Sequence, residues 1–241
     1  MQSTESTATA ALAAFASSLQ FRDIPKDVVE KARLCLMDTL GCCVYASTLA
    51  PMVKLTKMVM AEGGSGVAAI LGTPHRTSVS QAALVNGAAA HAFQLDEVHT
   101  GATLHPGSVV VPAVLALAEV VGGLSGEQFI AAMIVGYEVG IRVGQATQGG
   151  MFRRGYHNQG TTGAVAAAAA GACALGLDPT RTMHALGLAA SQAAGLMAVQ
   201  EGANAKAFHS GRAAQSGVYA ALLARDGYTG IEDVFDVDYG G

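Results

Sequence analysis

The sequence predicts an all-α bundle of Ala- and Gly-rich helices, and three observations carry that prediction. Apolar residues recur at three- and four-residue spacing through nearly every segment. Helix start and stop signals punctuate the chain in register with that spacing. Strand-like and helix-like segments do not alternate, and no internal repeat of solenoid length stands out.

Residues 4–19 and 26–46 are the first two helices by this periodicity. Residues 66–73 break it: Val-Ala-Ala-Ile-Leu-Gly between Gly-rich breakers reads as a short strand. Ser78-x-x-Gln81 and Ser125-x-x-Gln128 are capping boxes, in which serine and glutamine satisfy each other's backbone N–H groups at a helix start. The segments 109–121, 129–143 and 161–177 are apolar and helical in pattern. Asp178-Pro179 sets a capping acid before a first-turn proline and begins a helix expected to run to about Met197. A last helix opens at Lys206 and runs to about Ala224, and Gly176 and Gly227 are left-handed C-terminal stops. Gly136, Gly140 and Gly144 are spaced by four, which lays a smooth stripe along one helix face. An interior glycine costs about 1 kcal/mol against alanine, so the stripe implies a close helix crossing. Glu138 and Arg142, four apart, form an intrahelical ion pair.

Hydrophobic residues make up 51% of the 241 residues and charged ones only 13%, about half the usual charged share. No stretch of about 20 strongly apolar residues is present, as a membrane helix requires; a soluble bundle with mostly buried helices is expected. Sparse charge also implies that a second subunit covers part of the helical face, as a two-fold homodimer. The net charge is −4 without any Lys/Arg cluster, which argues against nucleic acid and anionic membranes as partners. Residues 1–10 lack a positive n-region, so no secretory signal is expected and the location is cytoplasmic. The cysteines, at 35, 42, 43 and 173, lack metal-ligand spacing and read as buried reduced thiols.

Acid–base chemistry is concentrated between Gln94 and Gly107, where Asp96, Glu97, His99 and His105 fall within ten positions. Pro106 disfavours helix at His105, so the patch is an irregular loop between apolar helices, a common mounting for functional groups. Two more polar islands precede helices: Arg153 to Thr162, including His157, and Lys206 to Arg212, including His209. Both helix N-termini suit an anion. For each of these residues the competing reading is structural, as a capping histidine or a solvated lysine. His91 and His184 sit in apolar helical pattern and read as core histidines; His75 reads as a surface loop residue.

Three blocks together carry a resemblance: His91-Ala-Phe-Gln-Leu-Asp-Glu-Val-His99 with Leu104-His105-Pro106-Gly107; Gly155-Tyr156-His157 with Gly160-Thr161-Thr162-Gly163; and Lys206-x-x-His209-x-Gly211-Arg212-Ala213-Ala214-Gln215. In order and spacing they resemble the 2-methylcitrate dehydratase / cis-aconitate decarboxylase family (MmgE/PrpD), as does Lys31-Ala-Arg-Leu-Cys-Leu-Met-Asp-Thr-Leu-Gly41. The resemblance implies a cofactor-free lyase or isomerase acting on small di- or tricarboxylates, built as a helical domain with a smaller α/β lid and usually homodimeric. By motif it makes Asp96, His105, His157 and Lys206 the catalytic set. His99, His209 and Arg212 would bind substrate.

Two departures qualify it. Dehydratase-like members tend to show Asp-x-Asp-Asp-Thr-His, whereas Gln94-Leu95-Asp96-Glu97-Val98-His99 lacks the leading acid and the threonine. Residues 1–241 form a single helical domain, and the lid would lie beyond Gly241. The chain alone is therefore expected to turn substrate over poorly. Two other readings compete: a non-catalytic helical dimerisation module or half of a split enzyme, and a metal-dependent enzyme using Asp96, His99 and His105 with Glu97. The catalytic reading requires Asp96, His105, His157 and Lys206 to converge on one cleft.

Overall fold

In the computed structural model, which describes residues 7–202 and 204–239, the chain folds as ten α-helices and one two-stranded sheet among those residues. The helices are α1 (Ala8–Ser18), α2 (Lys26–Ala46), α3 (Ala50–Glu62), α4 (Val79–Ala90), α5 (Gly107–Val120), α6 (Gly126–Ala146), α7 (Gly150–Arg153), α8 (Thr162–Ala174), α9 (Pro179–Ala190) and α10 (Ala205–Arg225). The sheet pairs β1 (Ala68–Ala69) antiparallel to β2 (Arg76–Thr77).

Most ends are where local chemistry puts them. Thr7 caps α1 through its side chain, and the part of the expected first helix at residues 4–6 lies outside the described residues. Ser125 and Gln128 form the expected capping box on α6, and Asp178 caps α9 ahead of Pro179. The helices α8 and α10 both end in Schellman turns. Gly176 N–H donates to Cys173 and Leu177 N–H to Ala172, while Gly227 N–H donates to Ala224 and Tyr228 N–H to Leu223. The glycines take φ of +63° and +90°, which alanine would adopt only at a cost.

Three expectations are corrected. Ser78 precedes α4 but makes no side-chain cap bond, because Gln81 turns outward to Glu62 and to Gln215 of α10. The expected strand shrinks to two residues, with a partner at Arg76–Thr77. Asn86 of α4 holds β1 and the residues after it by bonding Ala69 O and Leu71 N, both at 2.9 Å. The helix from Pro179 stops at Ala190 rather than near Met197. The next residues are drawn off to pair with the loop before α8: Ala194 N–H donates to Gly160, His157 N–H to Gly195, and Tyr156 bridges Leu196.

Helix α8 is the axis of the molecule, buried at every position except Cys173 and surrounded by α5, α6, α9 and α10. Small residues are what permit this. A Cβ added at Gly136 or Gly140 would lie 2.8 Å or less from an alanine methyl of α8. Among the described residues one helix, α6, is long and apolar enough by length and composition to cross a membrane, at mean hydropathy 1.2. Half of it is buried inside the bundle, as in a core helix, and its outer side carries the Glu138–Arg142 pair at 2.8 Å. On the other side of the core, α10 crosses α4 at Gly211, 2.2 Å from Leu84 O for an added Cβ. That crossing brings the start of α10 to the loop following α4.

Candidate active site

Three segments meet at one end of α4. His91 caps this helix, the loop to Pro106 follows, the loop 154–161 approaches from α7, and α10 presents its first turns. Asp96 is buried, and its carboxylate accepts from His91 Nδ1 at 3.0 and 3.1 Å. His105 Nδ1 lies 2.9 Å from the backbone carbonyl of Asp96 and 3.4 Å from its Oδ2. A carbonyl only accepts, so Nδ1 of His105 carries the proton and neutral His105 presents the basic lone pair on Nε2. The His91 and Asp96 side chains are fully enclosed, whereas that of His105 remains 22% exposed. His105 is therefore the end of this group that solvent or a substrate reaches.

The rings continue inward. His91 and His105 centroids are 4.7 Å apart, His91 and His157 6.3 Å, and His157 and His209 5.3 Å. His157 Nδ1 meets His209 Nδ1 at 3.0 Å, a contact in which one nitrogen donates and the other accepts. Burial lowers the proton affinity of His105, opposed by the Asp96 carboxylate and aided by His91. His157 is pushed down to about 3, first by burial, then by His209, His91, Lys206 and His105; His209 is lowered by burial and His91. Lys206 stands in the first turn of α10 and donates its ammonium to Gln94 Oε1. His105, His157 and His209 are thus neutral imidazoles near one lysine.

The position of His105 is set by a residue that the sequence reading passed over. Gln159, buried, accepts the His105 N–H on Oε1 at 3.0 Å and donates from Nε2 to the His105 carbonyl at 3.0 Å. Its amide also bonds Ser108 Oγ at 2.7 Å and Ser210 Oγ at 3.1 Å, tying α5 and α10 to the same point. A glutamine between Asn158 and Gly160 carries no periodic signal, so only the fold reveals the clamp.

Asp96, His105, His157 and Lys206 therefore converge, with His209 beside His157. His91, read as a core histidine, belongs to the group, and its Nε2 has no partner among the described residues. His99 and Arg212 do not join it. His99 closes a local turn, bridging Leu104 and accepting Ala102 N–H on Nδ1 at 3.1 Å, while Arg212 bonds Gln215 one turn along α10. One helix start also differs from expectation. The first turn of α8 is buried and closed internally by Gly163 N–H to Asn158 O, so it offers no anion site. The start of α5 is taken by Glu97, whose Oε1 accepts Gly107 N–H at 2.8 Å and the Tyr137 hydroxyl. Burial lifts the Glu97 carboxyl to about 7 against the Tyr137 and Gly107 bonds, and its Oε2 has no solvent access. The thiols of Cys35, Cys42, Cys43 and Cys173 are free and raised by burial, those of Cys42 and Cys173 to about 11, which makes them poor nucleophiles.

A divalent ion fits poorly here. His91, Asp96 and His105 offer ligand atoms within 4.8 Å of one another, but both histidine Nδ1 atoms already face Asp96 as donors, and a lysine adds positive charge nearby. His99, which the metal reading needed, points its Nδ1 into its own turn. The surroundings suit an anion better.

Residues 10–241 match the profile of the MmgE/PrpD N-terminal domain. The chain is 39% identical over 244 residues to the cis-aconitate decarboxylase-like protein oryM of Aspergillus oryzae, covering 98% of the chain and 51% of that protein. It is 36% identical over 238 residues to the cis-aconitate decarboxylase of Aspergillus terreus, covering 97% and 49%. To the cis-aconitate decarboxylase of Homo sapiens it is 31% identical over 218 residues, covering 88% and 45%. The chain spans about half the length of the curated relatives it matches.

Proposed function

Because the chain belongs to the MmgE/PrpD family, we propose that it forms the histidine-bearing part of a lyase that decarboxylates a small tricarboxylate such as cis-aconitate. The observation that carries this reading is the convergence of Asp96, His105, His157 and Lys206 from segments more than 100 residues apart. Decarboxylation breaks the C–C bond to one carboxylate and releases CO2. The electron pair left on carbon, spread through the neighbouring double bond, is then quenched by one proton.

His105 supplies that proton from Nε2. Its lowered proton affinity makes the imidazolium a strong donor once formed, and a bound anion raises the affinity enough for protonation to accompany binding. Asp96 holds the Nδ1 proton and so keeps Nε2 aimed outward. Lys206 and the uncapped start of α10 hold the remaining carboxylates and stabilise charge in the transition state. General acid–base steps of this kind contribute about 10²–10⁴-fold. An NMR titration with cis-aconitate should shift the ring signals of His105 and His157, and His105→Ala should abolish CO2 release by an enzyme containing this chain while leaving its circular dichroism intact. Shifts confined to other residues, or an active His105→Ala enzyme, would overturn the assignment.

A second copy of the chain completes the reading. Leu34, Met37, Val44 and Tyr45 form one exposed face of α2, continued by Leu95 and Val98 of the site loop. Tyr45 packs on Phe93 at 4.8 Å and Asp38 accepts Glu97 N–H at 3.1 Å, so helix and loop make one surface beside the histidines. Such an apolar patch on a chain poor in charge suits a two-fold interface. Met37→Glu should yield monomers in sedimentation at micromolar concentration; a wild-type monomer at every concentration would refute the interface.

A further inference from the structure

Lys206 is the cation of the site, and the group that holds it is neutral. Its ammonium donates to Gln94 Oε1, and it makes no ion pair among the described residues. The Asp96 carboxylate is turned inward to His91 and His105, and that of Glu97 is bound to Gly107 and Tyr137. Gln94 itself is held in the left-handed region at φ +57°, which costs a non-glycine residue about 1–2 kcal/mol. Surrounding structure maintains that strain, and the bond it sets up is the one to Lys206. A strained backbone of this kind at a ligand site is a pointer to function.

We propose that Gln94 is a specificity-determining residue, which positions Lys206 through an uncharged amide so that the full ammonium charge remains for a substrate bearing several carboxylates. An acid at position 94 would hold the lysine equally well by geometry and would cancel its charge. The site would then suit ligands with fewer negative charges. With glutamine there, the exposed side of the site carries one uncompensated positive charge, flanked by neutral imidazoles that add hydrogen-bonding capacity without charge. The amide thus favours tricarboxylates over monocarboxylates by electrostatics rather than by shape. This inference rests on the carboxylate reading of the site given above.

The probe is tricarballylate, a tricarboxylate without the double bond that decarboxylation requires, titrated into the chain by calorimetry alongside butyrate. Three proteins are compared: wild type, Gln94→Met, which keeps the size and removes the hydrogen bond, and Gln94→Glu, which adds charge. The expected order of tricarballylate affinity is wild type, then Met within about threefold, then Glu about five- to tenfold weaker, the effect of one like charge a few ångströms away. The Glu variant should lose less for butyrate, and about 0.5 M salt should narrow the gap between Met and Glu. A Glu variant that binds tricarballylate as well as the Met variant, or a gap indifferent to salt and to ligand charge, would overturn the role of Gln94. Failure of the wild-type protein to bind any carboxylate would instead overturn the site reading on which it rests.

Discussion

Replacing Gln159 by leucine removes the clamp on His105 without changing side-chain volume much, and its cost can be worked from the contacts. Four polar contacts are lost, two to the backbone of His105 and one each to Ser108 and Ser210, with the two protons of Nε2 shared among three acceptors. The serines retain each other, since Ser210 Oγ already lies 3.1 Å from both Ser108 O and Ser108 Oγ. The His105 carbonyl keeps Ser108 Oγ, which donates to it at 2.9 Å, but its N–H has no such substitute among the described residues, and a buried group left without a partner costs about 1–3 kcal/mol. With partial access of water to this half-buried loop the total stays at about 1–3 kcal/mol. For a chain of this size that corresponds to a fall in Tm of about 2–12 °C. Urea and thermal unfolding at one fixed protein concentration would measure it, since association moves both midpoints. Gln159→Glu should lose at least as much: an ionised carboxylate accepts from His105 N–H but faces the His105 carbonyl with no proton to donate. A leucine variant within about 0.5 kcal/mol of wild type would show that the His105 N–H finds another partner, and would refute the clamp.

Burial lifts the Glu97 carboxyl from the usual 4.5 to about 7, so the folded chain keeps a proton that the unfolded chain releases. Stability should therefore fall as pH rises from about 4.5 through 7, by up to about 3 kcal/mol, and Glu97→Gln should flatten that part of the urea-midpoint profile; an unchanged profile would refute it. His157, lowered to about 3, contributes stability that is complete above pH 6.5 and lost as pH falls toward 3. Its ring signal in NMR should stay that of neutral imidazole at pH 5, and a midpoint near 6.5 would contradict the burial argument. Among the glycines, an added Cβ at Gly41 meets nothing within 4 Å in a single chain, so in the Met37→Glu background, where no second copy covers this face of α2, Gly41→Ala should raise stability by about 0.5–1 kcal/mol. At Gly211 the added methyl would sit 2.2 Å from Leu84 O, and Gly211→Ala should cost more than about 2 kcal/mol. The two variants behaving alike in urea would show that the crossing of α4 and α10 is looser than described.

Local signals were legible wherever the cause was itself local. Ser125 with Gln128, Asp178 with Pro179, and Gly176 and Gly227 act within one turn of backbone, and each was found where its residues place it. Ser78 with Gln81 has the same spacing and failed, because the glutamine had distant partners in Glu62 and Gln215 that outcompeted the cap. The helix after Pro179 has helical pattern to Met197, yet pairing of residues 194–196 with the loop 155–160 ends it seven residues early.

The amino-acid order by itself determined the helical class, the close crossings at Gly and Ala, and which polar islands could hold chemistry. These follow from spacing and from backbone preference, which neighbours in sequence impose. The tertiary structure alone decided which members of each island meet. Helix crossings bring His91, Asp96, His105, His157, His209 and Lys206 together and leave His99 and Arg212 to their own neighbours, and the same crossings place Gln159 behind His105 and Gln94 against Lys206. A hydrogen bond requires approach to about 3 Å in the right direction. Between residues 50 to 110 positions apart, that approach is set by how the small faces of α4, α8 and α10 pack, and no local pattern encodes it.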